Sequence, residues 1–118
     1  MTPPPAWPQR GDVFLLSFDP ATGHEMKGLH PSVIVQNDVG NRHSPLTIVV
    51  AVTGNLRVAA LPIGVLVKAG TGGLAKDCVV NCGHIYTVDK TRLSKRLGQM
   101  PPDVMSKVDD ALRRSLSL

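Results

Sequence analysis

Short apolar runs separated by glycine, proline and polar residues make up most of the chain. Runs of this length that are rich in Val, Ile and Leu are typical of β-strands. The pattern predicts five strands, the last of which is one strand or a kinked pair with Gly83 at a bulge. These strands are DVFLLSF (12–18), PSVIVQN (31–37), LTIVVAVT (46–53), LPIGVLVKA (61–69) and CVVNCGHIYTV (78–88). The third run is almost continuously apolar, which indicates a buried strand.

The segments between the strands lack apolar periodicity and contain turn-forming residues. Residues 19–28 form a predicted loop, and residues 40–45 (GNRHSP) a predicted turn. The GTGG sequence at 70–73 resembles part of a phosphate-binding loop. It lacks the Gly-Lys-Ser/Thr ending, and no helical pattern follows it, so a hairpin turn is predicted there.

The C-terminal segment changes to a helical period. Asp89 is a suitable N-cap for a short turn, KTRLSKRLG, and the final PPDVMSKVDDALRRSLSL is predicted to be an amphipathic helix. Its apolar stripe is Val104, Met105, Val108, Ala111, Leu112 and Leu116. Several short strands followed by one such helix predict a mainly β fold with α, namely a small closed or half-closed antiparallel barrel capped by the C-terminal helix.

Length and composition fit one small domain. The 118 residues, 42% of them hydrophobic, can bury one core, and no apolar run is long enough to span a bilayer. The N-terminus has no signal-peptide pattern, and its prolines predict an extended tail over residues 1–8. We therefore predict a cytoplasmic protein, not membrane-bound, with a single domain over residues 9–118.

A net charge of +4 is compatible with a polyanionic partner but also with an ordinary, mildly basic soluble protein. Aromatic residues are only 3% of the chain, which excludes a row of base-stacking platforms. Lys90, Arg92, Lys95 and Arg96 form a basic run that could bind phosphates or be a solvated face.

The cysteines and histidines do not form a metal-binding pattern. Cys78 and Cys82 would lie about 13 Å apart on one strand, whereas a disulfide requires less than about 7 Å. Their spacing does not match common zinc motifs, so they are predicted to be small buried hydrophobic residues. The four histidines are scattered, and no metal site is predicted.

Three residues carry candidate chemistry. Thr53 ends the most buried strand, where a hydroxyl can serve a site or simply favour the strand and cap the next turn. His30 lies at the mouth of the second strand, directly after the loop, and can move a proton or carry charge, although a lone surface histidine is usually only solvated. Glu25 is the only glutamate in the chain and lies in the preceding loop, where it too has a plain role as a solvated charge.

Together these residues resemble the MazF/PemK family of toxin endoribonucleases. The resemblance is carried by RGDVFLLSFDPATGHEMKG, by HPSVIVQND, by the Thr that ends IVVAVT, by LP before IGVLV, and by GLAKDCVVNCGHIYTVDKTRL with the helix VDDALRRSLSL. It covers about residues 9–118. The motifs are individually unspecific, and their order and spacing carry the resemblance.

The resemblance implies an SH3-like barrel of the MazF/CcdB type in a homodimer. It implies cleavage of single-stranded RNA, usually mRNA, without a metal or other cofactor. Attack of the ribose 2′-OH on the adjacent phosphate would leave a 2′,3′-cyclic phosphate and a 5′-OH. It also implies a cognate antitoxin, whose acidic C-terminal tail fills the RNA groove.

In that family an Arg before the strand Pro and the Thr that ends the third strand are the main catalytic pair. Thr53 matches the Thr, and Glu25 matches an acidic loop position that contributes in some members. Here His30 stands in place of the Arg. One interpretation is that His30 has taken over the role as a general acid or as a pH-dependent cation. The other is that the positive charge comes from Arg10, Arg42 or Arg57, or that activity is weak.

RNA contacts are expected from the loop 19–28, which contains Lys27, from Arg10, from Gln36 and Asn37, and from Asn55 and Arg57. Tyr86 stands where many members carry Arg, so less cationic charge should line the groove. Two alternatives are a catalytically weak barrel that binds RNA or antitoxin, and a CcdB-like inhibitor of a protein target such as DNA gyrase. The C-terminus RRSLSL lacks the ending of the gyrase inhibitors, which argues against the latter.

Overall fold

The computed structural model describes residues 6–18 and 28–118. Its strands are β1 (Asp12–Ser17), β2 (Leu29–Ile34), β3 (Leu46–Thr53), β4 (Gly64–Val67), β5 (Cys78–Asp89) and β6 (Leu93–Gln99). Its α-helices are α1 (Asp38–His43) and α2 (Pro102–Leu116), and short 3₁₀ turns cover Leu56–Ala60, Thr71–Gly73 and Lys90–Arg92. In the part of the chain that is described, no helix is both long and apolar enough to cross a membrane.

The strands form one antiparallel sheet in the order β4-β5-β3-β2-β1-β6. Within the described residues β4 and β6 are the edges, so the ladder of strand pairs does not close. The turn Thr71–Gly73, which follows β4, packs against β6 instead. A Cβ on Gly98 would lie 2.7 Å from the Gly72 carbonyl carbon, and a Cβ on Gly73 would collide with the Leu97 carbonyl oxygen. Glycines at both positions let the two backbones touch, which curves the sheet into the predicted barrel-like shape.

The fold class is confirmed, as are most predicted elements. β3 has the predicted bounds, and β5 continues one residue beyond its predicted end. β5 contains the predicted bulge, because its partner register jumps from Val50–Ile85 to Ala51–Asn81. Asp89 is the predicted N-cap, since its carboxylate accepts a hydrogen bond from the Thr91 backbone N–H at 2.9 Å.

Two strands depart from the sequence prediction in their bounds: β2 was predicted over 31–37 but begins at Leu29 and ends at Ile34, and β4 is shorter than the predicted 61–69. Two further elements depart from it in kind. β6, LSKRLGQ, was expected to be part of a turn, but it pairs with β1 as a largely exposed edge strand. Its polar residues face solvent, so it shows no apolar alternation. Residues 40–45 were expected to be a turn, but most of them belong to α1. The sequence of α1 is polar and contains Gly40, so its stability comes from tertiary contacts.

Those contacts converge on Asn41, which is fully buried. Its side-chain oxygen accepts hydrogen bonds from the Thr47 hydroxyl at 2.7 Å and the Gln36 amide at 3.1 Å. Its amide nitrogen donates to the Gln36 carbonyl at 2.9 Å and to the Asp38 carboxylate at 3.2 Å. A buried amide with all these partners joins α1 to the start of β3 and to the segment after β2.

The core has two apolar clusters, one on each face of the sheet. The larger cluster lies between the sheet and α2 and includes Val33, Val80 and Val108. The smaller one, on the other face, includes Leu16, Phe18, Ile34, Val49, Ala51 and Val88. In the predicted stripe of α2, Val104, Val108 and Ala111 are buried, Met105 and Leu112 are partly buried, and Leu116 in the last turn is 53% exposed. Cys78 and Cys82 are buried free thiols, as predicted.

Candidate functional site

Thr53 is held at the last position of β3 by its pairing with Val79 of β5. Its side chain is half-buried, and its hydroxyl oxygen accepts a hydrogen bond from the Asn55 backbone N–H at 3.2 Å. Because the oxygen is engaged as an acceptor by its own turn, the hydroxyl hydrogen can point outward and donate to an incoming anion. The turn therefore orients a donor at the end of a rigid strand.

His30 lies on β2 opposite Leu16 of β1 and is half-buried. The ladder between β2 and β3 pairs Ser32 with Ala51, and the same register continued by two residues sets His30 against Thr53. The two predicted catalytic residues thus belong to the same end of one strand pair and the same face of the sheet.

An aromatic contact borders the His30 imidazole. The Phe18 ring meets it edge-on with centroids 6.1 Å apart, and Phe18 meets the Tyr86 ring in the same manner at 4.9 Å. Tyr86 therefore belongs to the smaller apolar cluster, on the side of the sheet that carries His30. An imidazole packed against a ring has its orientation restricted, which suits a group that must meet a substrate in one geometry.

The residues after Thr53 form an exposed turn. The Asn55 side chain caps it by accepting a hydrogen bond from the Arg57 backbone N–H at 3.2 Å. The side chains of Asn55 and Arg57 are both exposed beside the end of β3. The structure thus groups Thr53, His30, Asn55 and Arg57.

The other predicted RNA contacts lie toward the opposite end of β3. The segment that holds Gln36 bonds to Ile48, and the Gln36 amide donates to the Leu46 carbonyl at 3.0 Å. Asn37 caps α1 by accepting from the Gly40 N–H at 2.8 Å. These contacts are five to seven residues from Thr53, or about 16–23 Å along an extended strand.

Two arginines considered as substitutes for the missing cation also lie away from Thr53 in the chain. The Arg10 guanidinium donates to the Val35 carbonyl and forms a salt bridge with Asp109 of α2. Arg42 stacks over the Trp7 ring, with its guanidinium carbon 5.0 Å from the ring centroid. Both guanidinium groups thus make contacts that stabilise the chain itself. Glu25 and Lys27 lie outside the described residues.

Two cations near the grouped residues were not predicted as site residues. The Lys76 ammonium lies against the turn after Thr53, 3.6 Å from where a Cβ on Gly54 would be. Arg92 donates to the Ser17 carbonyl at 2.6 Å, next to the β1–β2 pairing that holds His30. Neither residue is close to the site in sequence. In the sequence, the basic run around Arg92 indicated a possible phosphate-binding function, whereas nothing indicated a function for Lys76.

A cavity of about 520 Å³ lies elsewhere, lined by residues that include Trp7, Phe14 and Arg96. Neither His30 nor Thr53 contributes to it. Of the grouped residues, Asn55 and Arg57 are exposed, which suits contact with an extended polymer. Among the residues described, no cluster of three or more His, Cys, Asp or Glu side chains could hold a metal ion.

Comparisons with known proteins show what the chain is similar to in sequence and in fold. The chain is 40% identical over 110 residues to Endoribonuclease EndoA of Bacillus subtilis, which covers 93% of this chain and 95% of that protein. The crystal structure of MazF from Deinococcus radiodurans superposes with a TM-score of 0.81 at 26% identity, covering 97% of this chain and 100% of that one.

An endoribonuclease from a mycobacterial species, solved in complex with its cognate antitoxin, superposes with a TM-score of 0.80 at 30% identity, covering 94% of this chain and 96% of that one. The family model for the PemK-like, MazF-like toxin of type II toxin–antitoxin systems matches residues 9–116. The chain therefore belongs to the family of PemK-like, MazF-like toxins of type II toxin–antitoxin systems.

Proposed function

We propose that this protein is an endoribonuclease toxin that cleaves single-stranded RNA, usually mRNA, at short sequences. The observation that carries the proposal is the presence of Thr53 and His30 at one end of the β2–β3 pair, with the Thr53 hydroxyl oriented by the Asn55 N–H. A fixed hydroxyl donor beside an imidazole can bind a phosphate and move a proton, the two needs of RNA cleavage by transesterification. The identity to a protein named an endoribonuclease supports the same activity.

In the proposed mechanism the ribose 2′-oxygen attacks the adjacent phosphorus while the bond from phosphorus to the 5′-oxygen breaks. The 2′-OH loses a proton and the 5′-oxygen gains one, so the products are a 2′,3′-cyclic phosphate and a 5′-OH. The Thr53 hydroxyl donates to a phosphate oxygen, and His30 acts as general acid or as a cation. Asn55 and Arg57 hold the RNA beside the cleaved bond, and Glu25 assists from the loop before β2.

The proposed partners follow from the same assignment. A homodimer would join two such surfaces into one RNA groove, along which Arg10, Gln36 and Asn37 contact the strand away from the cleaved bond. Lys27 is a further proposed RNA contact. A cognate antitoxin would occupy this groove with an acidic tail. The complex of a similar mycobacterial endoribonuclease with its cognate antitoxin supports that partner. The protein would act in the cytoplasm, where mRNA is available.

The activity is tested by incubating purified protein with a long RNA of known sequence in EDTA and sequencing the new ends. We expect cuts at one short sequence, with 5′-OH termini. Thr53→Val keeps the shape of the side chain but removes its hydroxyl, and should lower the rate by at least about 100-fold. Thr53→Ser restores the hydroxyl and serves as the matched control. Binding of RNA without cleavage by clean wild-type protein would contradict the enzyme assignment and favour the RNA-binding alternative.

The role of His30 is tested by the pH dependence of the cleavage rate. If His30 transfers a proton, the wild-type profile should have a limb that is missing in His30→Ala. His30→Arg supplies a permanent cation, so it should keep activity without that limb if charge alone is needed. An active His30→Ala protein with the wild-type profile would remove His30 from the mechanism.

A further inference from the structure

We propose that Lys76 contacts the phosphate that is cleaved and, together with Thr53, neutralises the charge that develops on it. This inference rests on the proposed ribonuclease function and adds to it a catalytic residue. It starts from a need for positive charge near the cleaved phosphate. The phosphorane formed by 2′-OH attack carries more negative charge than the phosphate diester, and a histidine is only partly charged at neutral pH.

The position of Lys76 is the first argument. Its Nζ lies 3.6 Å, and its Cε 3.8 Å, from the point where a Cβ on Gly54 would be. Gly54 follows Thr53 directly, so the ammonium group lies over the backbone of the turn that orients the Thr53 hydroxyl. Because Gly54 has no side chain, no Cβ of that residue occupies the space beside the ammonium group.

The charge balance around Lys76 is the second argument. The adjacent carboxylate, Asp77, is engaged elsewhere: one oxygen accepts from the Ala69 N–H at 2.8 Å, and the other lies 3.8 Å from the Lys68 ammonium. Within residues 6–18 and 28–118, no salt bridge to Lys76 is formed. Lys76 is also exposed, so its positive charge is available to a bound anion.

The placement of two other cations is the third argument; Arg57 remains beside Thr53 as a proposed RNA-binding residue. Arg10 and Arg42 are directed at Asp109 and Trp7, toward the opposite end of β3. An ammonium group is a compact point charge with three donors on a flexible stem. It can follow the phosphate oxygens as the bond to the 2′-oxygen forms and the bond to the 5′-oxygen breaks. Lys76 supplies charge only: the proton lost by the 2′-OH and the proton gained by the 5′-oxygen are handled by other groups.

The proposal is tested in single-turnover cleavage of an RNA that contains the mapped cleavage site. Lys76→Gln should lower the rate constant by about 100-fold, in the range that loss of one oxyanion donor causes. Lys76→Arg keeps the charge and should recover most of the rate. Lys68→Gln removes the same charge from the other side of Asp77 and should change the rate by less than about twofold.

Binding measurements locate the contact. The substrate is made resistant by a 2′-deoxy sugar at the cleavage site, and its affinity is measured against salt concentration. Lys76→Gln should reduce the slope of log K against log salt by about 0.7, the value for one phosphate contact on a single strand. Replacing the cleaved phosphate by a neutral methylphosphonate should make the affinities of wild type and Lys76→Gln equal.

The outcomes separate this inference from the proposed function. If wild type cleaves and Lys76→Gln cleaves at the same rate, Lys76 is not catalytic and the ribonuclease function stands. If wild type cleaves no RNA, no cleavage site can be mapped, so the ribonuclease function fails and this inference, which rests on it, fails with it. An affinity difference that persists with the methylphosphonate overturns the inference.

Discussion

The contact between the turn Thr71–Gly73 and β6 predicts a large difference between two similar glycine substitutions. Gly70 lies directly before this turn and Gly73 is its last residue, and both have positive φ, at 89° and 79°. A Cβ on Gly70 would meet nothing within 4 Å, whereas a Cβ on Gly73 would lie closer than 3.0 Å to the Leu97 carbonyl oxygen. Gly70→Ala therefore has only the conformational penalty, and Gly73→Ala has in addition a steric collision with β6.

The expected magnitudes follow from these two terms. Alanine at positive φ costs about 1–2 kcal/mol, which applies to both variants. Overpacking adds about 1–3 kcal/mol, which applies to Gly73→Ala alone. We expect losses in the free energy of unfolding of about 1–2 kcal/mol for Gly70→Ala and about 2–5 kcal/mol for Gly73→Ala.

Urea denaturation followed by circular dichroism measures both free energies. The protein concentration must be the same for all variants, because association of the chain would itself stabilise the folded state. Equal losses in the two variants would show that the turn does not press against β6 in solution. The half-closed barrel described above would then be wrong at this contact.

Two further predictions concern buried polar groups. Asn41→Ala should lower the free energy of unfolding by about 3 kcal/mol, because the buried Thr47 hydroxyl loses its acceptor. Adding Thr47→Val should cost less than it does in wild type, and additive losses in this double-mutant cycle would contradict the network. Burial, and next the Asp109 carboxylate, raise the pKa of the Cys82 thiol from 9.0 to about 11. As the pH rises, Cys82 therefore loses its thiol proton at a lower pH in the unfolded chain than in the folded protein. The free energy of unfolding that wild type has in excess of Cys82→Ala should be complete below pH 9 and decline toward pH 11. A difference between the two proteins that stays constant with pH would refute this prediction.

The sequence by itself determined the elements whose side chains repeat with a regular period. β3 and α2 were predicted because apolar residues facing a core recur at fixed spacing, and the bulge at Gly83 because a glycine interrupts such a run. The position of Thr53 at a strand end followed from the same pattern. His30 stood out as an imidazole directly after the predicted loop, at the mouth of the second strand; the structure begins β2 at Leu29, so Pro31 is its third residue.

The tertiary structure alone decided what depends on contacts between distant segments. β6 and α1 are polar, so their stability comes from pairing with β1 and from the Asn41 network and leaves no period in the sequence. The register of the sheet separates the site around Thr53 from Gln36 and Asn37, although all were expected to contact RNA. Lys76 reaches the turn after Thr53 only because β5 pairs with β3. A flexible side chain at the end of one strand and a turn at the end of another become neighbours through strand pairing, which no local pattern encodes.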